Sequence, residues 1–188
     1  MKRRVITCLL SSFLLCGILS NANAQDSTEQ MQSAPPAPEL AVLKHEEGKW
    51  DAAIKFWLPG GPTEPMESTG SEINTMVGKY WLSTQLDYEV MGEKYGGHGV
   101  FGFDSQKKRY VGTWYSSDSP HPIQMTGKWD EESKTVTYEM DGIDGMGNPL
   151  KGKIMNTYID ASSKKFEMHM DMGDGNMHKM MEIMYSKK

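Results

Sequence analysis

The chain has 188 residues, with 25 acidic side chains against 20 basic ones and a formal charge of −5. That length suits one domain of ordinary size and not two. The acidic balance offers no electrostatic footprint for nucleic acid or for anionic lipid.

Residues 1–24 read as a Sec-type signal peptide. Lys2, Arg3 and Arg4 make a basic start, VITCLLSSFLLCGIL is an apolar run too short for a good membrane span, and Ala22-Asn23-Ala24 sets small residues before a cleavage point at Gln25. Leu15 stands directly before Cys16, where a lipobox needs a small residue. The expectation is therefore an exported protein, periplasmic or extracellular, with no stable membrane insertion, since no later segment approaches the length of a span. Both cysteines, Cys8 and Cys16, leave with the peptide, so neither a thiol nor a disulfide remains and an apolar core must hold the fold. Loss of the three cations also takes the formal charge to about −8. Residues 25–38, QDSTEQMQSAPPAP, are polar, proline-bearing and without periodicity, which reads as a flexible linker.

A single domain is expected over residues 39–188. Leu40 and Leu43 fall at helical spacing between Pro38 and Gly48, predicting one short N-terminal helix. From Lys49 onward the period changes to two. KYWLSTQLDYEV alternates Tyr80, Leu82, Leu86 and Tyr88 against Trp81, Ser83, Gln85 and Asp87, and TVTYEM sets Val136, Tyr138 and Met140 against Thr135, Thr137 and Glu139. Turn signals such as LPGGP, YGGHG, DSQKK, DEESK, DGMGNP, DASSK and GDGN recur at short intervals. The pattern predicts an all-β fold, an antiparallel up-and-down β-barrel of about ten strands, because closure is the usual way for so many short strands to avoid exposed edges.

The segment FEMHMDMGDGNMHKMMEIMY, residues 166–185, is rich in methionine and carries two histidines. Folded as a hairpin over Gly173–Asn176, it sets Met172 opposite Met177. Alternation then places Phe166, Met168, Met170 and Met172 on one face with Ile183, Met181, Lys179 and Met177. The other face carries Glu167, His169 and Asp171 with Glu182, Met180 and His178. Methionine is a flexible filler of irregular cores and ligand cavities, so Met168, Met170, Met172 and Met181 are expected inside. His169, His178 and Met180 form the alternative, a thioether and imidazole set of the kind that selects copper(I).

No other constellation supports chemistry as strongly. None of the five histidines stands in a HExxH motif or a nucleophile elbow. GGHGVFGFD lacks the helix and lysine of a phosphate cradle, and its glycines read as a bulge or tight bend. His98 in that stretch, and His121 held between Pro120 and Pro122, are the histidines that remain to weigh.

Taken in order, LAVLKHEEGKW, PGGPTEPMESTG, VGKYWLST, GHGVFGFDSQKKRYVGTW, TGKWDEESKTVTYEM, DGMGNPLKGK and the closing KFEMHM and GNMHKMMEIMYSKK resemble a bacterial family across nearly the whole expected domain. The family is domain of unknown function fifteen-seventy-nine, whose members look like secreted or cytosolic lipocalin-like (calycin) β-barrels. Gly48-Lys49-Trp50 is similar to the calycin first-strand signature, in which a tryptophan closes one barrel end under a basic residue of the last strand. The resemblance implies Lys187 as that partner of Trp50. The chain departs from the family pattern at Phe103 of Gly102-Phe103-Asp104, at Ser116 and at Lys187, where members carry tyrosine, aspartate and arginine. The resemblance implies no activity, substrate or cofactor.

These readings favour a non-enzymatic, lipocalin-like binder of a small hydrophobic molecule. The expected interior contacts are Tyr80, Leu82, Trp114, Tyr138, Met168, Met170 and Met181. No cofactor is expected on this reading, with copper or haem as the alternatives. The runner-up is a copper-binding or metal-buffering protein using His169, His178 and Met180.

Overall fold

The computed structural model describes residues 35–144 and 147–188, so the expected signal peptide and residues 25–34 of the linker lie outside the described residues. The helix α1 (Leu40–His45) buries Leu40 and Leu43. Lys44 and His45 sit in its last turn, where the helix dipole favours positive charge. It ends as the Glu46 and Glu47 N–H groups close on the Leu43 and Lys44 carbonyls at 3.1 and 3.2 Å. Gly48 then turns the chain into the first strand with φ of 133°, a conformation that a side chain would strain.

Ten strands follow: β1 (Gly48–Phe56), β2 (Met66–Val77), β3 (Trp81–Val90), β4 (Glu93–Asp104), β5 (Arg109–Ser116), β6 (Ile123–Asp130), β7 (Thr135–Ile143), β8 (Pro149–Tyr158), β9 (Ser163–Asp171) and β10 (Met177–Lys187). Each pairs antiparallel with its chain neighbour, and β10 returns to β1 to close the barrel, so no edge strand remains. The period of two is realised directly. Trp50, Ala52 and Ile54 of β1, Leu82, Thr84 and Leu86 of β3, and Val136, Tyr138 and Met140 of β7 are buried inside.

Up-and-down order makes the two ends unlike. Odd strands begin, and even strands finish, at the end where α1 packs, and the Tyr110 hydroxyl pins the helix there by donating to the Glu39 carbonyl at 2.9 Å. Leu40 and Leu43 join Leu82, Tyr110, Val136 and Tyr138 in one buried cluster that fills this end. The connections β1–β2, β3–β4, β5–β6, β7–β8 and β9–β10 all lie at the opposite end.

The terminal hairpin departs from the expected register. Ile183, Glu182 and Met181 face Phe166, Glu167 and Met168 as alternation requires, but the pairing slips at Met180, after which Lys179 faces His169 and His178 faces Met170. A bulge at Met180 absorbs the extra residue. In the unslipped register Lys179 would carry an unpaired ammonium inward; the slip instead brings its Nζ to 2.5 Å from Glu167 and 2.7 Å from Glu182 on the outer face. The same slip removes His178 from the face of His169. Met172, expected in the core, is 44% exposed at the hairpin tip.

The glycines of β4 also differ from expectation. Pairing with β3 and β5 runs through Gly97 and Gly99 without a register shift, so they mark neither a bulge nor a bend. They make room for an indole: a Cβ on Gly97 would stand 2.1 Å from Cζ2 of Trp114, and one on Gly99 2.7 Å from its Cε3. Gly97→Ala should therefore cost about 1–3 kcal/mol in urea denaturation by overpacking. In a Trp114→Leu background the same change should cost much less, and equal losses would show that the ring is not what Gly97 accommodates.

Candidate functional site

The barrel encloses a cavity of about 330 Å³, placed between the helix-capped end and the open end. Its walls are apolar and include Phe101, Trp114, Met140, Met168, Met170 and Met181. Its floor is charged.

Three buried side chains make that floor: Glu46 at the end of α1, Glu72 of β2 and Lys164 of β9. The Lys164 Nζ donates to Glu46 Oε2 at 2.6 Å and to Glu72 Oε1 at 2.7 Å. Neighbouring side chains add donors to the surplus carboxylate charge. The Tyr158 hydroxyl donates to Glu46, and Asn74 Nδ2 donates to Glu72 at 2.7 Å. The Glu46 carbonyl accepts from Trp50 Nε1 at 2.8 Å and from Asn74 Nδ2 at 3.2 Å. The ammonium also lies 5.0 Å from the Trp50 ring centre and 4.5 Å from that of Tyr185, within cation–π range. Burial pulls the Lys164 pKa down, but the two glutamates outweigh it and hold the group above its ordinary value. Burial, followed by the negative charge of the glutamates, pushes the Tyr158 and Tyr185 hydroxyls well up.

The expected interior residues divide in two. Trp114, Tyr138, Met168, Met170 and Met181 line the cavity, whereas Leu82 and Tyr80 belong to the packed cluster under α1 and do not border it. The reason is positional: β3 starts at the helix end, where Leu40 and Leu43 fill the space. Lys187 stands opposite Trp50 in the β1–β10 register, with its Nζ 5.1 Å from the ring centre and 3.3 Å from the His45 carbonyl, which it hydrogen-bonds. Lys187 is exposed, so the buried cation beside Trp50 is Lys164. The floor residues escaped the sequence reading, although the period of two that turns Phe166 and Met168 inward turns Lys164 inward as well.

The three residues of the copper alternative are not brought together. His178 and Met180 border an open depression with Trp57 and Met172, and His169 does not. His178 Nε2 is 2.8 Å from Asp174. Among the described residues no group of three or more His, Cys, Asp or Glu side chains is placed to hold a metal ion. His98 Nε2 lies 2.9 Å from the Ser83 hydroxyl, but that exposed pair sits on the barrel wall away from the cavity. His121 lies in the β5–β6 connection.

The ion cluster yields two expected outcomes. Lys164→Met strands two buried carboxylates and should cost about 3–5 kcal/mol in urea denaturation, whereas adding Glu46→Gln and Glu72→Gln should restore most of the loss. A triple variant as unstable as the single one would show that the charges themselves hold the fold. In the native barrel, Lys164, Tyr158 and Tyr185 keep their protons to higher pH than in the unfolded chain. Their contribution is thus complete below about pH 10 and is lost as pH rises through the raised values. The melting temperature should hold steady from pH 8 to about pH 10 and then fall, and a fall that began well below that range would point to other groups.

No curated protein matches the sequence. Among solved structures, the fold is similar to the crystal structure of Rv2717c from M. tuberculosis, with a TM-score of 0.61 and 12% identity over 82% of this chain and 99% of that one. A redesigned beta barrel, b11L5F_LGL, aligns with a TM-score of 0.43 and 12% identity over 78% of this chain and 95% of that one. The family model described as "Protein of unknown function (DUF1579)" matches residues 35–187, from the first described residue to the end of β10, and the chain belongs to the DUF1579 family.

Proposed function

We propose that the barrel is a non-enzymatic binding protein for a small, mainly apolar molecule, exported to the periplasm or beyond. The observation that carries the reading is the cavity of about 330 Å³ behind an open barrel end. Well-packed interiors contain few voids larger than a water molecule, and this volume falls within the range of about 300–1,000 Å³ seen for small-molecule sites. Its wall is adaptable, because Met168, Met170 and Met181 carry unbranched, polarisable thioethers that repack around ligands of different outline. Its floor is tied together by the one ammonium of Lys164, which bonds both Glu46 and Glu72. The basic start and short apolar run of the first 24 residues support export.

Two measurements test the proposal. Native mass spectrometry of protein purified from its own host should show an additional mass of a small organic molecule. The neutral fluorophore N-phenyl-1-naphthylamine should bind at one equivalent, and Met168→Trp, which fills the cavity, should weaken that binding about tenfold or more with the fold retained. Absence of both the co-purifying molecule and the fluorophore signal would overturn the reading.

A further inference from the structure

We infer that the cavity selects neutral or cationic amphiphiles and rejects anionic ones such as fatty acids, with the ligand head at the open end beside Asp118 and Asp144. This deepens the binding reading above and rests on it. Four carboxylates, those of Glu46, Glu72, Asp118 and Asp144, border the cavity, and Lys164 is the one lysine or arginine among its described lining residues. A fatty-acid carboxylate is best held by a cation, because burying an unpaired anion is costly, and the other polar groups of the lining, among them Thr84 and Asn156, are neutral. Lys164 does not supply that cation. Its ammonium is held by two glutamates at 2.6 and 2.7 Å, with the Trp50 and Tyr185 rings also within cation–π range, and its side chain is 5% exposed. An incoming anion would have to displace a glutamate and leave that carboxylate buried.

The open end has the opposite character to a fatty-acid portal. Asp118 belongs to the β5–β6 connection and Asp144 follows β7, so both lie at the end away from α1. Asp118 accepts from the Ser116 hydroxyl, while Asp144 accepts from the Asn148 backbone N–H at 2.8 Å and from its side-chain amide at 3.1 Å. The negative field reaches inward. Burial, and after it the charge of Asp118, raises the half-buried Tyr88 hydroxyl, itself a cavity-lining group, to about 12. An ammonium or hydroxyl head can stay partly hydrated here, with its chain lying against Trp114, Met168 and Met181.

The test uses three probes of equal chain length, decylamine, 1-decanol and decanoate, titrated by calorimetry at pH 7 in low and high salt. Decylamine should bind about tenfold or more tighter than decanoate, with decanol between them, and salt should narrow the gap by screening the carboxylates of the open end. Asp118→Asn, alone and with Asp144→Asn, should bring decylamine towards decanol while leaving decanol unchanged, and unaltered melting temperatures would establish that both variants fold. Decanoate binding as tightly as decylamine would overturn the inference and leave the cavity reading intact. An amine preference that survives both substitutions would likewise overturn it, because the open-end charges would not be its source. Failure of all three probes to bind would instead sink the cavity reading on which the inference depends.

Discussion

The bonds from Lys164 to Glu46 and Glu72 are the constraint on which the rest of the barrel depends. Glu46 terminates α1, Glu72 lies on β2 and Lys164 on β9, while Tyr158, Tyr185 and Trp50 bring in β8, β10 and β1. One cluster thus joins the helix to five strands across the seam where the first and last strands meet. A buried ion pair adds little net stability compared with well-packed apolar residues, but breaking it is expensive. Its value here is directional. Two carboxylates sharing one ammonium tie the end of α1 to β2 and β9.

That arrangement divides the interior into a packed end and an open end. Leu40, Leu43, Leu82, Tyr110 and Val136 fill the space near the helix, which is why Leu82 and Tyr80 do not reach the cavity. Farther along the barrel no second helix descends among the described residues, and the volume is bounded by methionines and by Trp114. Gly97 and Gly99 belong to the same design, since the indole lies against the backbone they leave bare and does not stand out into the cavity. The balance of charge follows from the floor: its one cation is fully engaged, so the lining as a whole remains acidic.

Most of the architecture could be read from residue order. Alternation in 80–88 and 135–140, with turn residues every few positions, dictates half-buried antiparallel strands, and strands of that number close. The inward direction of Met168, Met170 and Met181 follows from the same period. It failed beyond Met180, because alternation counts residues and a bulge adds one without leaving a mark in composition. Lys179 was the available signal, a cation assigned to an apolar face with two glutamates waiting on the other.

The period of two, the turns and the spacing of Leu40 and Leu43 are local properties, and they determine a ten-stranded barrel with one short helix whatever lies in its interior. The charged floor is of another kind. Glu46, Glu72 and Lys164 meet across sequence separations of 118 and 92 residues, and only closure of β1 onto β10, with α1 folded into the barrel end, brings them within bonding distance. The open volume is likewise a property of the assembled barrel, since it is bounded by residues of α1 and of strands β2 to β10 together.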